Sequence, residues 1–386
     1  MSIRSMKFTL DFKYFVSRLI IFSILIQLMG CKSFSGVDFN AIDVSDAEAT
    51  NSAKMLYYNI HKISEKGIAF GHEDATAYGI GWKHTDDPSR LRSDIKEVTG
   101  SFPAVHGYDV GHIELEREHN LDTVSFNLMR DHIQQLHDKG AIITISWHLE
   151  NPVTDGSSWD KTPAATSILE GGEQREKYEL WIKRLSLFFN SLKDDEGNVI
   201  PVVFRPYHEM NGSWFWWGGD NISPENYKQL WKETFQLLRQ NNVHSLLYAY
   251  SPNTVNSVEE FDKYYPGDEY VDILGVDIYN HSGNESFTRD VKSNLEIVGQ
   301  KALLADKPFA LTETGNNNFG EDPYWWTQTL YPGIKDSGAA WVLLWRNARP
   351  SHYFATYPGE ISEEDFKEFA ELEEILFLDE VEEITN

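Results

Sequence analysis

Two glutamates stand in surroundings unusual for a charged side chain. Glu209 closes the run Arg205-Pro206-Tyr207-His208-Glu209 and opens Met210-Asn211-Gly212-Ser213-Trp214-Phe215-Trp216-Trp217-Gly218, so four consecutive aromatics follow it closely. Glu313 sits in Leu311-Thr312-Glu313-Thr314-Gly315, behind an apolar stretch. Pairing with a neighbouring arginine such as Arg205 would account for either carboxylate alone. As a pair at two different strand ends they supply what cleavage of a glycosidic bond requires, an acid for the departing oxygen and a carboxylate on the other side of the sugar. A nearby carboxylate raises the pKa of a carboxyl group, so one of the two is expected to keep its proton at rest while the other is ionised.

Residues 104 positions apart in the chain need a scaffold that brings them to one place. Short β-branched or aromatic runs predict strands over Ile68–His72, Phe102–Asp109, Ala141–Trp147, Val202–Pro206, Ser245–Ser251, Val271–Ile278, Pro308–Thr312 and Ala339–Trp345. Helical patterns lie between them, among them Asp122–Lys139, Gln174–Leu192, Pro224–Gln240 and Arg289–Ala305. Ser223-Pro224 suits an N-cap followed by Pro at the first helical position, and Lys139-Gly140 suits a helix stop. Eight strands alternating with helices point to an α/β fold, a (β/α)8 TIM barrel forming a single catalytic domain. An open doubly wound sheet is the alternative, but no glycine-rich phosphate turn follows the first strand. In a barrel the C-terminal strand ends converge on one mouth, and His72, Asp109, His148, Glu209, Asn253, Asp277, Glu313 and Arg346 fall at or just past those ends. The stretch Asn151–Gly172, with Trp159, is a candidate wall for one end of a cleft.

At these residues the sequence resembles glycoside hydrolase family 26, best known for β-mannanases. The resemblance runs from about Gly67 to Ala348. It is most specific at Arg205–Gly218, with support at Phe70-Gly71-His72-Glu73, Ser146-Trp147-His148, Val276-Asp277-Ile278-Tyr279, Thr312-Glu313 and Leu344-Trp345-Arg346. It implies a retaining enzyme on a (β/α)8 barrel, with Glu209 as acid/base and Glu313 as nucleophile. It implies that His208 helps to hold the site together and that Tyr279 hydrogen-bonds the nucleophile. Trp214 and Trp345 would contact the sugar, with Asp277, His148 and Arg346 as further substrate contacts. The implied substrate is β-1,4-mannan, galactomannan or glucomannan, cut without a cofactor or metal. Within the same family stand two alternatives, an exo-acting enzyme that releases mannobiose and a same-fold enzyme acting on β-1,3-xylan or mixed-linkage glucan. Chemistry fits these roles, because the apolar C–H face of a sugar stacks on indole while its hydroxyls need placed donors and acceptors.

Composition narrows the partners. A formal net charge of −26 in 386 residues argues against a nucleic acid partner, because binding phosphates needs a basic face. Thirteen histidines could suggest a metal hydrolase, but no His-x-x-x-His or His-Glu-x-x-His spacing occurs. A carbohydrate-binding lipoprotein without catalysis would keep the aromatics and not need both glutamates. Arg4, Lys7, Lys13 and Arg18 precede an apolar run, Leu19–Met29, too short to span a bilayer. That run ends in Leu28-Met29-Gly30-Cys31, which resembles a bacterial lipobox whose cysteine is acylated. Cys31 is the single cysteine, so no disulfide framework exists. The expected organisation is a lipoprotein signal peptide over residues 1–30, a tether over 31–47 and the catalytic domain over 48–386. The mature protein would be a monomer on the cell envelope, at the periplasmic face or the cell surface, touching the membrane only through its lipid.

Overall fold

The computed structural model describes residues 37–83, 91–317 and 319–385. The chain divides into Met1–Ala41 and Ile42–Asn386. The signal peptide, Cys31 and the first part of the tether lie outside the described residues. Residues 42–47 belong to the folded body and not to a tether. Ser45 bonds Asp272 through its amide (2.6 Å) and hydroxyl (2.8 Å), and Asp46 meets His244 and Arg239 at 2.7 Å each. Their small polar side chains, which read as linker, are the partners of buried or half-buried groups on the body.

Eight parallel strands close on themselves: β1 (Ile68–Glu73), β2 (Val105–Asp109), β3 (Ile142–Trp147), β4 (Val202–Pro206), β5 (Leu246–Tyr250), β6 (Ile273–Asn280), β7 (Phe309–Asn316) and β8 (Trp341–Leu344). β8 pairs with β1, so the barrel has no open edge except where Ile375–Leu376 adds a short strand beside β1. All eight predicted strands are present, each within a few residues of its expected bounds. The helices surround the barrel. Arg175–Ser191 buries Tyr178, Trp181, Ile182, Leu185, Phe188 and Phe189, the spacing of one helical face. Pro224–Gln240 starts where expected, with the Ser223 hydroxyl accepting from the Asn226 amide.

Strand alternation sorts the side chains into two cores. Phe70, Ile143, Phe204, Tyr248, Val276 and Val342 face the helices, while Ala69, Val105, Ile142, Val203, Leu247 and Trp341 fill the lumen. The same period of two carries the lumen side upward to Glu73, Asp109, Ser146, Arg205, Ser251 and Asp277. It also corrects the reading of β1. The strand runs one residue past His72, so His72 faces outward beneath the helices beside its register partner His106, and Glu73 takes the lumen position. A one-residue shift at a strand end exchanges the two faces. Burial pushes the His72 imidazole down to about 3, as suits a neutral core histidine.

One irregularity sets the site. Val276 pairs with Leu311 and Asp277 with Glu313, so Thr312 is an extra residue in β7. Strict alternation would turn Glu313 outward with Leu311. The bulge turns it inward, and Thr312 also stays inside, donating to Asp277 Oδ1 at 2.6 Å. Gly275 makes room for this, since a Cβ there would meet Thr312 Oγ1 at 2.5 Å.

Candidate active site

The mouth of the barrel gathers the two glutamates. One carboxylate oxygen from each of Glu209, Asp277 and Glu313 lies within 4.8 Å of the other two, and all three residues are buried. Such a cluster could attract a cation, but a fixed one is already there. The Arg205 guanidinium donates to Asp277 Oδ2 at 2.8 Å, to Ser251 Oγ at 3.1 Å and to Glu313 Oε1. Arg205 is only 2% exposed, and its partners hold it firmly charged against the cost of burial.

Glu313 receives a second donor, Tyr279 Oη, on Oε2 at 3.0 Å, and His208 Nε2 stands 3.8 Å from Oε1. Each Glu313 oxygen thus accepts a hydrogen bond. His208 is fully enclosed, and its pKa lies well below the usual value because of burial, then Arg205 and His148. It is neutral and packs against His148 with ring centroids 4.5 Å apart.

Glu209 follows β4 on a strained path, with Tyr207 and Glu209 both at positive φ, 51° and 55°. The Glu209 amide bonds Ser251 O at 2.8 Å, which ties this turn to β5. Trp214 Nε1 donates to Oε2 at 2.6 Å and Asn253 Nδ2 to Oε1 at 3.1 Å. The Glu209 carboxyl is pushed up to about 7, first by burial and second by the charge of Glu313, against the two donors and Arg205. The sequence reading named only the second cause. One carboxyl that keeps its proton up to about pH 7 beside one whose two oxygens accept from Arg205 and Tyr279 is the acid and carboxylate pairing that glycoside cleavage needs.

The remaining expected contacts divide. His148 Nδ1 meets Asp109 Oδ2 at 2.7 Å, leaving the other ring nitrogen for a ligand. Burial lowers its pKa, but the Asp109 charge and hydrogen bond outweigh this and raise it. Trp214 and Trp345 are half-buried beside the glutamates and His148, as a platform for a sugar face requires. Arg346 lies farther out, bound to Asp122 and to Tyr78 Oη (3.1 Å). Asp277 differs from the expectation. It has no exposed surface, and its oxygens are taken by Arg205 and Ser251 on one side and Thr312 on the other. Its place is behind Glu313 as an anchor for Arg205, not against a sugar hydroxyl.

Sequence reasoning weighed Arg205 only as a structural partner that would account for a single glutamate, a pairing it does make with Glu313, and placed Asp109 and Asn253 at the mouth without assigning them a role. The lumen alternation of β4 (Val203 in, Phe204 out, Arg205 in) was the signal that could have found Arg205. Trp159, half exposed on the Asn151–Gly172 stretch, stacks on His148 with centroids 5.3 Å apart and planes 16° apart. That stretch therefore does border the mouth.

Known proteins resemble this chain throughout the barrel. Residues 45–319 match glycosyl hydrolase family 26. A mannan endo-1,4-β-mannosidase of Bifidobacterium adolescentis is 30% identical over 357 residues, 86% of this chain, although the chain spans only 35% of that longer protein. A mannan endo-1,4-β-mannosidase of Bacillus subtilis is 31% identical, with 88% of each chain covered. The solved structure of a GH26 β-mannanase from Bacteroides ovatus superimposes with a TM-score of 0.82 at 44% identity, covering 86% of this chain and 96% of that one.

Proposed function

The chain belongs to glycosyl hydrolase family 26, and on that footing we propose that it is a retaining mannan endo-1,4-β-mannosidase in which Glu313 is the nucleophile and Glu209 the acid/base. The observation that carries this reading is the spacing of the two carboxylates. One oxygen of each lies within 4.8 Å of the other, which falls on the side of the roughly 5–5.5 Å carboxyl separation of retaining enzymes and not of the roughly 6.5–9.5 Å that an inverting enzyme needs to seat a water. Glu313, its two oxygens accepting from Arg205 and Tyr279, attacks the anomeric carbon while Glu209 gives its proton to the leaving oxygen. Once Glu313 is esterified its charge is gone, so the repulsion that keeps Glu209 protonated falls, and Glu209 takes a proton from the incoming water. Trp214 has two tasks here, an indole face for the sugar and an N–H that fixes the acid.

The substrate reading rests on the mannan-cleaving relatives and on the indole-lined mouth. Side-by-side digestion of mannan, xylan, lichenan and carboxymethylcellulose should release reducing ends fastest from mannan. Faster cleavage of any of the other three would transfer the assignment to that glycan. A time course on mannohexaose should give mixed oligosaccharides from internal cuts. Mannobiose as almost the sole early product would identify the exo-acting alternative.

We infer further that Cys31 is acylated and that the monomeric enzyme is lipid-anchored at the cell envelope. The support is the Leu28-Met29-Gly30-Cys31 order after an apolar run with a basic start. Lys32-Ser33 follows without an acidic cluster, which favours the periplasmic face over the cell surface. Cys31→Ala should move the protein from the membrane fraction to the soluble one. Unchanged partition, or a mature N-terminus without lipid by mass spectrometry, would remove this assignment.

A further inference from the structure

Asn253 stands just beyond β5 at a junction of three strands. Its Nδ2 donates to Glu209 Oε1 at 3.1 Å. Its backbone is gripped from both sides. The Asn253 amide donates to Asn211 Oδ1 at 2.8 Å, while Asn211 Nδ2 donates to the carbonyls of Asn253 at 2.9 Å and Thr254 at 3.1 Å. On the other flank Asn253 bridges Asp277 in parallel register, and the Asp277 amide donates to Pro252 O at 2.9 Å. Asn211 itself lies two residues past Glu209, so the two asparagines lock the loop carrying the acid onto the loop after β5.

We propose that Asn253 is a positioning residue for Glu209, its amide orienting the carboxyl toward the scissile bond and favouring release of the acid proton, with Asn211 as the brace that holds Asn253 in place. This deepens the reading of Glu209 as acid/base and rests on it for its catalytic meaning. The physical basis is independent of that reading. Glu209 is enclosed, and the charged or titratable groups around it are Glu313 from β7, Arg205 from β4, and Asp277 and Tyr279 from β6. Glu313 and Asp277 oppose ionisation and Arg205 favours it, while Tyr279 is spent on Glu313. Trp214 serves one oxygen, which leaves the other to Asn253 alone. Each carboxylate oxygen keeps a second lone pair, so neither donor blocks the acid proton. A group that must be acid in one step and base in the next needs donors that stabilise its anion without abolishing its acidity.

The test reads the Glu209 titration directly. Protein carrying 13C-carboxyl glutamate is titrated by NMR, with the Glu209 signal identified by its absence from Glu209→Gln. In Asn253→Ala the midpoint should rise by roughly one pH unit, the scale of one hydrogen bond to a charged group. Asn253→Asp, the same shape with a negative charge in place of the donor, should raise it further and carries the test if the alanine variant does not fold. Asn211→Ala should raise it by less. On mannan, the alkaline limb of kcat/KM should move up with the midpoint, and kcat should fall several-fold with KM nearly unchanged. A midpoint that is unchanged or lowered in Asn253→Ala and Asn253→Asp overturns the proposal, as does a KM effect with an unmoved limb. A displaced midpoint in a protein that does not cut mannan would sink the mannanase reading and leave the role of Asn253 as a donor to Glu209 standing.

Discussion

Glu209→Ala should release the leaving group of an aryl β-mannobioside in a burst and then turn over slowly, whereas Glu313→Ala should give no burst with any substrate. The two variants part because double displacement asks different things of each residue. An activated aryl group departs with little protonation, so the first step survives the loss of Glu209, but water then lacks its base. Azide needs no base and should restore turnover of Glu209→Ala, giving a β-configured glycosyl azide. Without Glu313 no glycosyl-enzyme can form. On natural mannan both should lose on the order of 10²-fold or more, the usual worth of general acid–base help alone. A burst in Glu313→Ala would exchange the two roles. An α-configured product from the wild type would mean inversion and make Glu313 a base.

The structure separates the pair in stability as well. The Glu209 carboxyl lies near 7 in the fold against about 4.3 for an unperturbed glutamate. A folded-state pKa raised in this way stabilises the fold below the unfolded value, and that contribution is lost as pH rises through about 7. At neutral pH Glu209→Ala should therefore melt at or above the wild-type temperature. Glu313→Ala leaves Arg205 with one fewer buried partner and should melt below it. Melting curves at pH 5 and pH 8 check this, since the advantage of Glu209→Ala should grow from the first to the second.

The barrel was legible because its signals are local. Apolar runs of strand length, helix caps such as Ser223-Pro224 and stops such as Gly140 each act within a few residues. The two glutamates were legible because aromatic and apolar neighbours mark a carboxylate that is not solvated. What escaped depends on register between distant segments. The bulge at Thr312, which turns Glu313 inward, arises from packing against Gly275 and Asp277. Asp277 read as a sugar contact through the family resemblance, yet alternation combined with that bulge buries it against Arg205, Ser251 and Thr312. His72 read as a mouth residue because β1 was ended one position early. Asn253 carries no local mark, since its meaning comes from Asn211 across a gap of 42 residues.

Arg205 is where stability and chemistry meet, and its removal should be among the most damaging single changes in the molecule. Asp277 is wholly enclosed and Glu313 nearly so, and the guanidinium is the cation that both of them touch. Arg205→Ala leaves two adjacent buried carboxylates without it, a loss expected to cost about 3–5 kcal/mol, as when one member of a buried ion pair is deleted. Arg205→Lys is the sharper experiment because it keeps the charge. A single ammonium cannot reproduce the planar fork that reaches Ser251, Asp277 and Glu313 together. Without that fork the Glu313 carboxylate loses a donor that fixes its position for attack. Arg205→Lys should thus be impaired in the attack and not in binding. Its kcat on mannan should fall on the order of 10²-fold, while Trp214 and Trp345 still hold the substrate and KM changes little. Activity within about threefold of wild type would reduce Arg205 to a packing element. In that case Tyr279 alone would have to keep Glu313 ready to attack.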